Sequence, residues 1–129
     1  MLPYNIIFAV KNTSGSTATA VTVTAMRYRR EPTGTFTYES TYTTLATLAN
    51  IANNGTKTGT VTLVNSSLWD GMRIFWGGDV GGTAGNLELY GLFSKEFDGT
   101  LTWPTEHRFL DSIGFTAAAT KTKETQLDD

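Results

Sequence analysis

Residues 68–97 read LWDGMRIFWGGDVGGTAGNLELYGLFSKEF, and the alternation in this stretch decides the fold class. Met72, Ile74 and Trp76 fall on one side of a period-two pattern. A glycine-rich break at 77–86 follows, and Leu87, Leu89 and Phe93 resume the alternation. Successive side chains of a strand point to opposite faces, so this spacing suits extended chain and does not suit a helix. We read the stretch as the central hairpin of an all-β domain, with 77–86 as its loop.

The segments around it support the same class. Tyr4 to Val10 is a short apolar run closed by the turn residues Lys11 to Gly15. From Ala18 to Arg30 the pattern alternates through Val21, Val23 and Ala25, then changes parity at Met26 and Tyr28, which a bulge near Ala25 would explain. Thr35 to Thr44 is the clearest period-two run, with Phe36, Tyr38 and Tyr42 on the side expected to be buried. Residues 45–52, LATLANIA, fit a strand or a short helix, and Asn53-Asn54-Gly55 is a strong turn signal. Thr58 to Val64 follows with Val61 and Leu63 inward. Thr100 to Trp103 and Arg108 to Phe115 complete the set, the latter with Phe109, Ile113 and Phe115 on one face. Seven to nine short antiparallel strands separated by turn clusters predict a β-sandwich, jelly-roll-like in architecture.

Composition bounds the function. A chain of 129 residues forms one domain, long enough to bury about two thirds of its unfolded surface. With no cysteine, disulfides, thiolate metal sites and cysteine nucleophiles are excluded. A net charge of −2 with a single basic knot, RYRR at 27–30, argues against a phosphate-tracking surface and hence against nucleic acid. No apolar run approaches the ~20 residues that span a bilayer. The N-terminal MLPYNIIFAVKN lacks the basic start and long apolar core of a signal peptide, so the expectation is a soluble, unprocessed protein with no membrane partner. Nearly a fifth of the residues are threonine, which fits a pleated, solvent-facing surface because its branched side chain is stiff.

Reactive chemistry is sparse. The one histidine, His107, sits in PTEHRF beside Glu106 with Asp111 nearby, but no nucleophile setting accompanies it and adjacent strand residues point apart. No catalytic residue is assigned, and the expectation is a protein that is not an enzyme. Asp70, Asp79, Asn86, Glu88 and Asp98 are oxygen donors that could suit calcium, yet they lack the alternating spacing of a binding loop, so no metal or cofactor is expected. GGDVGG lacks the GK[ST] ending of a phosphate loop. The triplets beginning at Asn12, Asn54 and Asn65 match a glycosylation pattern that a Thr/Ser-rich chain produces by chance. Among the aromatics Trp69, Trp76, Trp103, Tyr90 and Tyr42, a sugar-stacking platform is conceivable. Trp69 and Trp76 with Asp79 in the 77–86 loop form the alternative ligand site, for a carbohydrate or a lipid headgroup.

The last residues, TAAATKTKETQLDD at 116–129, offer one large apolar side chain, Leu127. Ordering them costs about 1–2 kcal/mol each, which so polar a segment does not recover by packing on its own domain. The expected organisation is therefore a sandwich over 1–115 and an extended C-terminal arm over 116–129 lying on neighbouring subunits. Thr116, Lys121, Lys123, Leu127 and Asp129 are its contact residues.

A small, cysteine-free, Thr/Gly/Ala-rich sandwich carrying TATAVTVTAM, TGTFTYESTYTT and this tail resembles the cement or decoration proteins of tailed-phage capsids. It also resembles, less closely, phage tail or head-fibre modules and small cytolysin- or lectin-like sandwiches. The resemblance implies a structural protein on the outer surface of a virion. Its partners would be the major capsid protein and copies of itself in a dimer or trimer.

Overall fold

Alternating apolar and β-branched residues dominate the chain, and the computed structural model is accordingly all-β. It describes residues 5–62, 68–82, 84–94 and 107–128. The described strands are β1 (Asn5–Asn12), β2 (Ala18–Arg30), β3 (Phe36–Tyr38), β4 (Thr43–Ile51), β5 (Thr56–Thr62), β6 (Gly71–Val80), β7 (Gly85–Ser94), β8 (Arg108–Phe115) and β9 (Ala119–Asp128). All pairings are antiparallel. One sheet has the order β5-β1-β7-β8, and the other runs β3-β2-β6-β9 with β4 also alongside β2. The two sheets form a β-sandwich. Of the ambiguous segment 45–52, all but Ala52 belongs to strand β4, whereas the strand expected at 100–103, the inward Leu63, Glu106, Asp98 and Asn65 lie outside the described residues.

The hairpin expected over 68–97 does not form. β6 lies between β2 and β9 in one sheet, and β7 lies between β1 and β8 in the other. The apolar positions are nonetheless the right ones: Met72, Ile74, Trp76, Leu87 and Leu89 are each at most 1% exposed. They meet across the core from opposite sheets, together with Ile6, Phe8, Val10, Val21, Val23, Leu48, Ile51 and Ile113. A period of two fixes which side chains turn inward and leaves open which sheet carries the strand.

Two register irregularities re-aim side chains. In β2 the shift against β6 falls between Thr19 and Thr22, where Ala20 has a φ of 53°. From Thr22 to Tyr28 the register against β6 is unbroken, and only the pairing with β4 slips again between Val23 and Thr24. Tyr28 therefore stays on the outer face instead of turning inward. It is still buried, because Gly71 opposite leaves room for the ring: a Cβ there would lie 2.3 Å from the Tyr28 hydroxyl. In β8 the pairing slips between Leu89 and Tyr90, so Phe109 faces solvent while Ile113 and Phe115 remain in the core.

The chain end corrects the expectation of an arm. Residues 119–128 are strand β9, paired with β6 from Gly71↔Asp128 to Val80↔Ala119, and Leu127 belongs to the core. The polar residues find partners because alternate ones reach the rim between the sheets. Trp76 Nε1 donates to Thr125 Oγ1 at 2.9 Å, and Thr125 Oγ1 donates to Asp111 Oδ2 at 2.7 Å. Lys123 Nζ donates to Asp111 Oδ1 at 2.8 Å and to the Ser112 carbonyl at 3.1 Å, while Lys121 Nζ donates to the Gly114 carbonyl at 2.9 Å. Lysine stems lie along the sandwich edge with their heads in water. Inward-aimed charges of this kind also guard an edge strand against pairing with another chain.

The opposite end is closed by Asn12, which is fully buried. Its Nδ2 donates to the carbonyls of Ser16 (2.7 Å) and Ile51 (2.8 Å), and its Oδ1 accepts from the backbone and side chain of Ser14. A residue so enclosed is not a glycan acceptor in the folded chain. Asn54, with a φ of 64°, makes the expected turn, but that turn joins β4 and β5 in different sheets.

Candidate functional site

The outer face of the β3-β2-β6-β9 sheet holds the largest departure from expectation. Phe36, Tyr38 and Tyr42, predicted to be buried, are 45%, 41% and 45% exposed. The expected strand from 35 to 44 is split into the three-residue β3 and the first two residues of β4, and the β3 register Tyr28↔Tyr38 and Arg30↔Phe36 sets both rings on the outer side beside Tyr28. The three rings form one cluster: Tyr28 meets Phe36 edge to face at 5.2 Å, and Tyr38 is tilted against Tyr28 at 6.0 Å and against Phe36 at 6.2 Å. Tyr42 meets Phe75 of β6 at 4.8 Å with the planes at 88°.

Arginine joins the two groups of rings. The Arg73 guanidinium lies 5.3 Å from the Tyr38 centroid and 5.9 Å from that of Phe75, and Arg30 stacks on Tyr28 and Phe36 at 5.7 and 5.8 Å. Such stacking is worth about 0.5–1 kcal/mol at exposed sites and holds the rings in place. Arg73 makes a two-pronged pair with Glu124 through Nε and Nη2, which raises the guanidinium pKa and lowers that of the Glu124 carboxyl. On β9 beside them, Gln126 Nε2 donates to the Tyr28 hydroxyl at 2.9 Å.

The charges around the patch are internally matched. Arg29 pairs with Glu31 at 3.0 Å, whose carboxyl is held below its usual range by the Thr37 hydroxyl and by Arg29. Arg27 pairs with Glu39 at 2.9 Å and stacks on Trp69 at 5.2 Å. Burial alone would raise the Glu39 pKa, but the hydrogen bonds from Arg27 outweigh it and lower it. Two arginines of the basic knot at 27–30, Arg27 and Arg29, are thus paired with carboxylates of their own chain, while Arg30 stacks on the rings.

The residues singled out from the sequence are dispersed. Trp76 is core, Trp69 is a partly buried residue against it, and Asp79 sits at the far end of β6 from Trp69. Roughly nine residues of strand separate Asp79 from Trp69, about 30 Å, so the alternative site at Trp69, Trp76 and Asp79 does not assemble. Trp103 lies outside the described residues. Of the arm residues, Thr116 is in the exposed turn before β9, Lys121 and Lys123 are engaged at the rim, Leu127 is internal, and Asp129 lies outside the described residues. Asp70 accepts the Arg30 amide at 2.7 Å, and Glu88 holds the Tyr90 hydroxyl on the other sheet. Among the described residues no three His, Cys, Asp or Glu side chains are grouped to hold a metal, and no helix is long and apolar enough to cross a membrane. His107 is exposed at the start of β8.

Sequence reasoning therefore missed the patch, although its rings were named. The only available signal was Arg-aromatic interleaving in RYRR and TGTFTYESTY. Comparison of the chain with protein-family models, curated proteins and solved structures finds no match.

Proposed function

We propose that this protein is a non-enzymatic structural protein that assembles with copies of itself by mating the outer faces of its β3-β2-β6-β9 sheets. One observation carries the reading: Phe36, Tyr38 and Tyr42 stand exposed in one rigid cluster with Phe75, Arg30 and Arg73. Aromatics and arginine are the residues enriched at interface centres, where lysine is depleted. The Arg73–Glu124 pair at its centre is made within one chain, so a second face meets that arginine with its charge already matched. Four strands about 4.8 Å apart and ten residues of about 3.3 Å give a face of roughly 600 Å², close to the ~800 Å² per partner of a stable complex. Strand-edge pairing is less suited, since Lys121 and Lys123 guard β9.

A decoration protein of a virion shell, tied to the major capsid protein, is the role that composition and architecture suggest for such a module. The chain end expected as an arm is strand β9 over Ala119–Asp128, so in this reading the sheet face provides the attachment. Sedimentation equilibrium across a concentration series tests the self-assembly. The wild type is expected as a dimer or trimer and the Tyr38→Ser/Tyr42→Ser double variant as a folded monomer. A wild type that stays monomeric at every concentration overturns the proposal. Saturable binding of a neutral saccharide at this face by a monomer would favour the carbohydrate-binding alternative.

A further inference from the structure

The opposite face of the sandwich carries a separate feature. On the outer side of the β5-β1-β7-β8 sheet, Ala9, Lys11, Thr56, Tyr90 and His107 line an open hollow of about 230 Å³. The register brings them together: Ala9 pairs with Tyr90, Lys11 pairs with Thr56 on one side and Glu88 on the other. Ala9 contributes a small floor, and the larger side chains form the walls.

The walls are chemically uneven. Tyr90 is fixed from two directions, by the edge-to-face contact with Phe109 at 5.5 Å and 73° and by the hydrogen bond from its hydroxyl to Glu88 Oε2. That hydrogen bond raises the Tyr90 pKa, keeping the phenol neutral. It also engages Oε2 of the carboxylate that the register sets beside Lys11. The side chains of Lys11, Thr56 and His107 make no hydrogen bond or ion pair among the described residues. An exposed lysine alone means little. Here a lysine whose side chain has no partner among the described residues borders a braced aromatic ring, a hydroxyl and an imidazole.

We infer that this hollow binds a single anionic sugar ring, with the acid group on Lys11 and the ring against Tyr90. The volume lies below the ~300 Å³ at which drug-sized pockets begin and has room for one ring. An aromatic wall takes the apolar C–H face of a sugar, while Thr56 and His107 offer hydrogen bonds to its hydroxyls. A carboxylate and a phosphate are both anions that an ammonium accepts as a point charge, so the shared requirement is an acid on a sugar. This site is independent of the aromatic face, from which it is separated by the thickness of the sandwich.

Isothermal titration calorimetry with glucuronate, glucose 6-phosphate, glucose and inorganic phosphate on the wild-type protein is the test. Saturable binding of glucuronate or glucose 6-phosphate, with glucose and inorganic phosphate each at least about tenfold weaker, supports the inference; charge-assisted hydrogen bonds are worth that much. Which acidic sugar binds better tells a carboxylate site from a phosphate site. Lys11→Gln should lose at least about tenfold in affinity with an unchanged melting temperature, because the side chain is exposed. Tyr38→Ser/Tyr42→Ser, altered on the other face, should bind as the wild type does. The inference is overturned by no saturable heat with either acidic sugar, by glucose binding as tightly, by inorganic phosphate alone matching the sugars, or by Lys11→Gln binding as the wild type.

Discussion

Removing residues 119–129 separates an integral strand from an appended arm more sharply than any point change. Truncation deletes Leu127, 6% exposed in the core, and losing a buried leucine side chain costs about 2–5 kcal/mol. It also removes Thr125 Oγ1, the acceptor of the buried Trp76 Nε1 at 2.9 Å, and stranding a buried donor costs about 1–3 kcal/mol. These two losses alone total roughly 3–8 kcal/mol against the ~5–15 kcal/mol available to a typical domain. The truncation further leaves the β6 ladder from Gly71 to Val80 without its neighbour. The truncated chain is therefore expected to be largely unfolded at 25 °C. Near-ultraviolet circular dichroism and tryptophan fluorescence under heat and urea measure this directly. Leu127→Ala provides the graded version, a loss of about 2–4 kcal/mol and a melting temperature lower by roughly 10 °C. A truncated chain that melts cooperatively within a degree or two of the full chain would show that β9 contributes nothing to the core, and the strand assignment of 119–128 would fall.

Further outcomes follow from the same geometry. Thr125→Val keeps the shape and loses the hydroxyl, so it should cost about 1–3 kcal/mol, whereas Thr125→Ser should stay closer to wild type; equal urea midpoints for the three proteins would refute the Trp76–Thr125–Asp111 chain. Burial alone would raise the Asp111 pKa, but hydrogen bonds from Lys123, Thr125 and the Ser112 amide outweigh it and hold it low, as those from Arg27 do for Glu39. Because both folded values are depressed, their stabilisation is complete above the ordinary carboxylate range and lost as pH falls through the folded values. The melting temperature should thus be level from about pH 7 to 5 and drop below about pH 4, and Asp111→Asn should flatten the drop; an unchanged acid limb contradicts the assignment. Gly77→Ala places a Cβ 2.0 Å from the Lys121 carbonyl oxygen. It should force β9 away from β6 with a loss of at least about 1–3 kcal/mol, read from thermal unfolding.

How much was legible in the chain varies by element. Strand β2 has the bounds that its pattern gives, Ala18 to Arg30, because a run rich in β-branched residues with no Gly or Pro inside it favours extended chain even where its alternation changes parity. The inward set Met72, Ile74, Trp76, Leu87 and Leu89 was also readable, since large apolar side chains recurring at every second position have to leave water. β9 was not. Its inward positions include Lys121 and Lys123, which no hydropathy pattern marks as facing a core. They are tolerated only because the rim between the sheets lets their ammonium groups reach Asp111 and the β8 carbonyls.

The candidate site was hidden for a related reason. Phe36, Tyr38 and Tyr42 alternate as a buried face would, and apolar character states a preference for burial without saying whether a partner within the same chain satisfies it.

By itself, then, the sequence determined an antiparallel all-β domain, its turns and most of its interior, because local alternation and turn chemistry act over a few residues. Only the tertiary structure decided that 68–97 splits between two sheets, that 119–128 completes one of them, and that the ring cluster faces outward. Each of those outcomes depends on which strands pair and in what register, from Gly71 with Asp128 far along the chain to Tyr28 with Tyr38 across a short connection, and local alternation specifies neither.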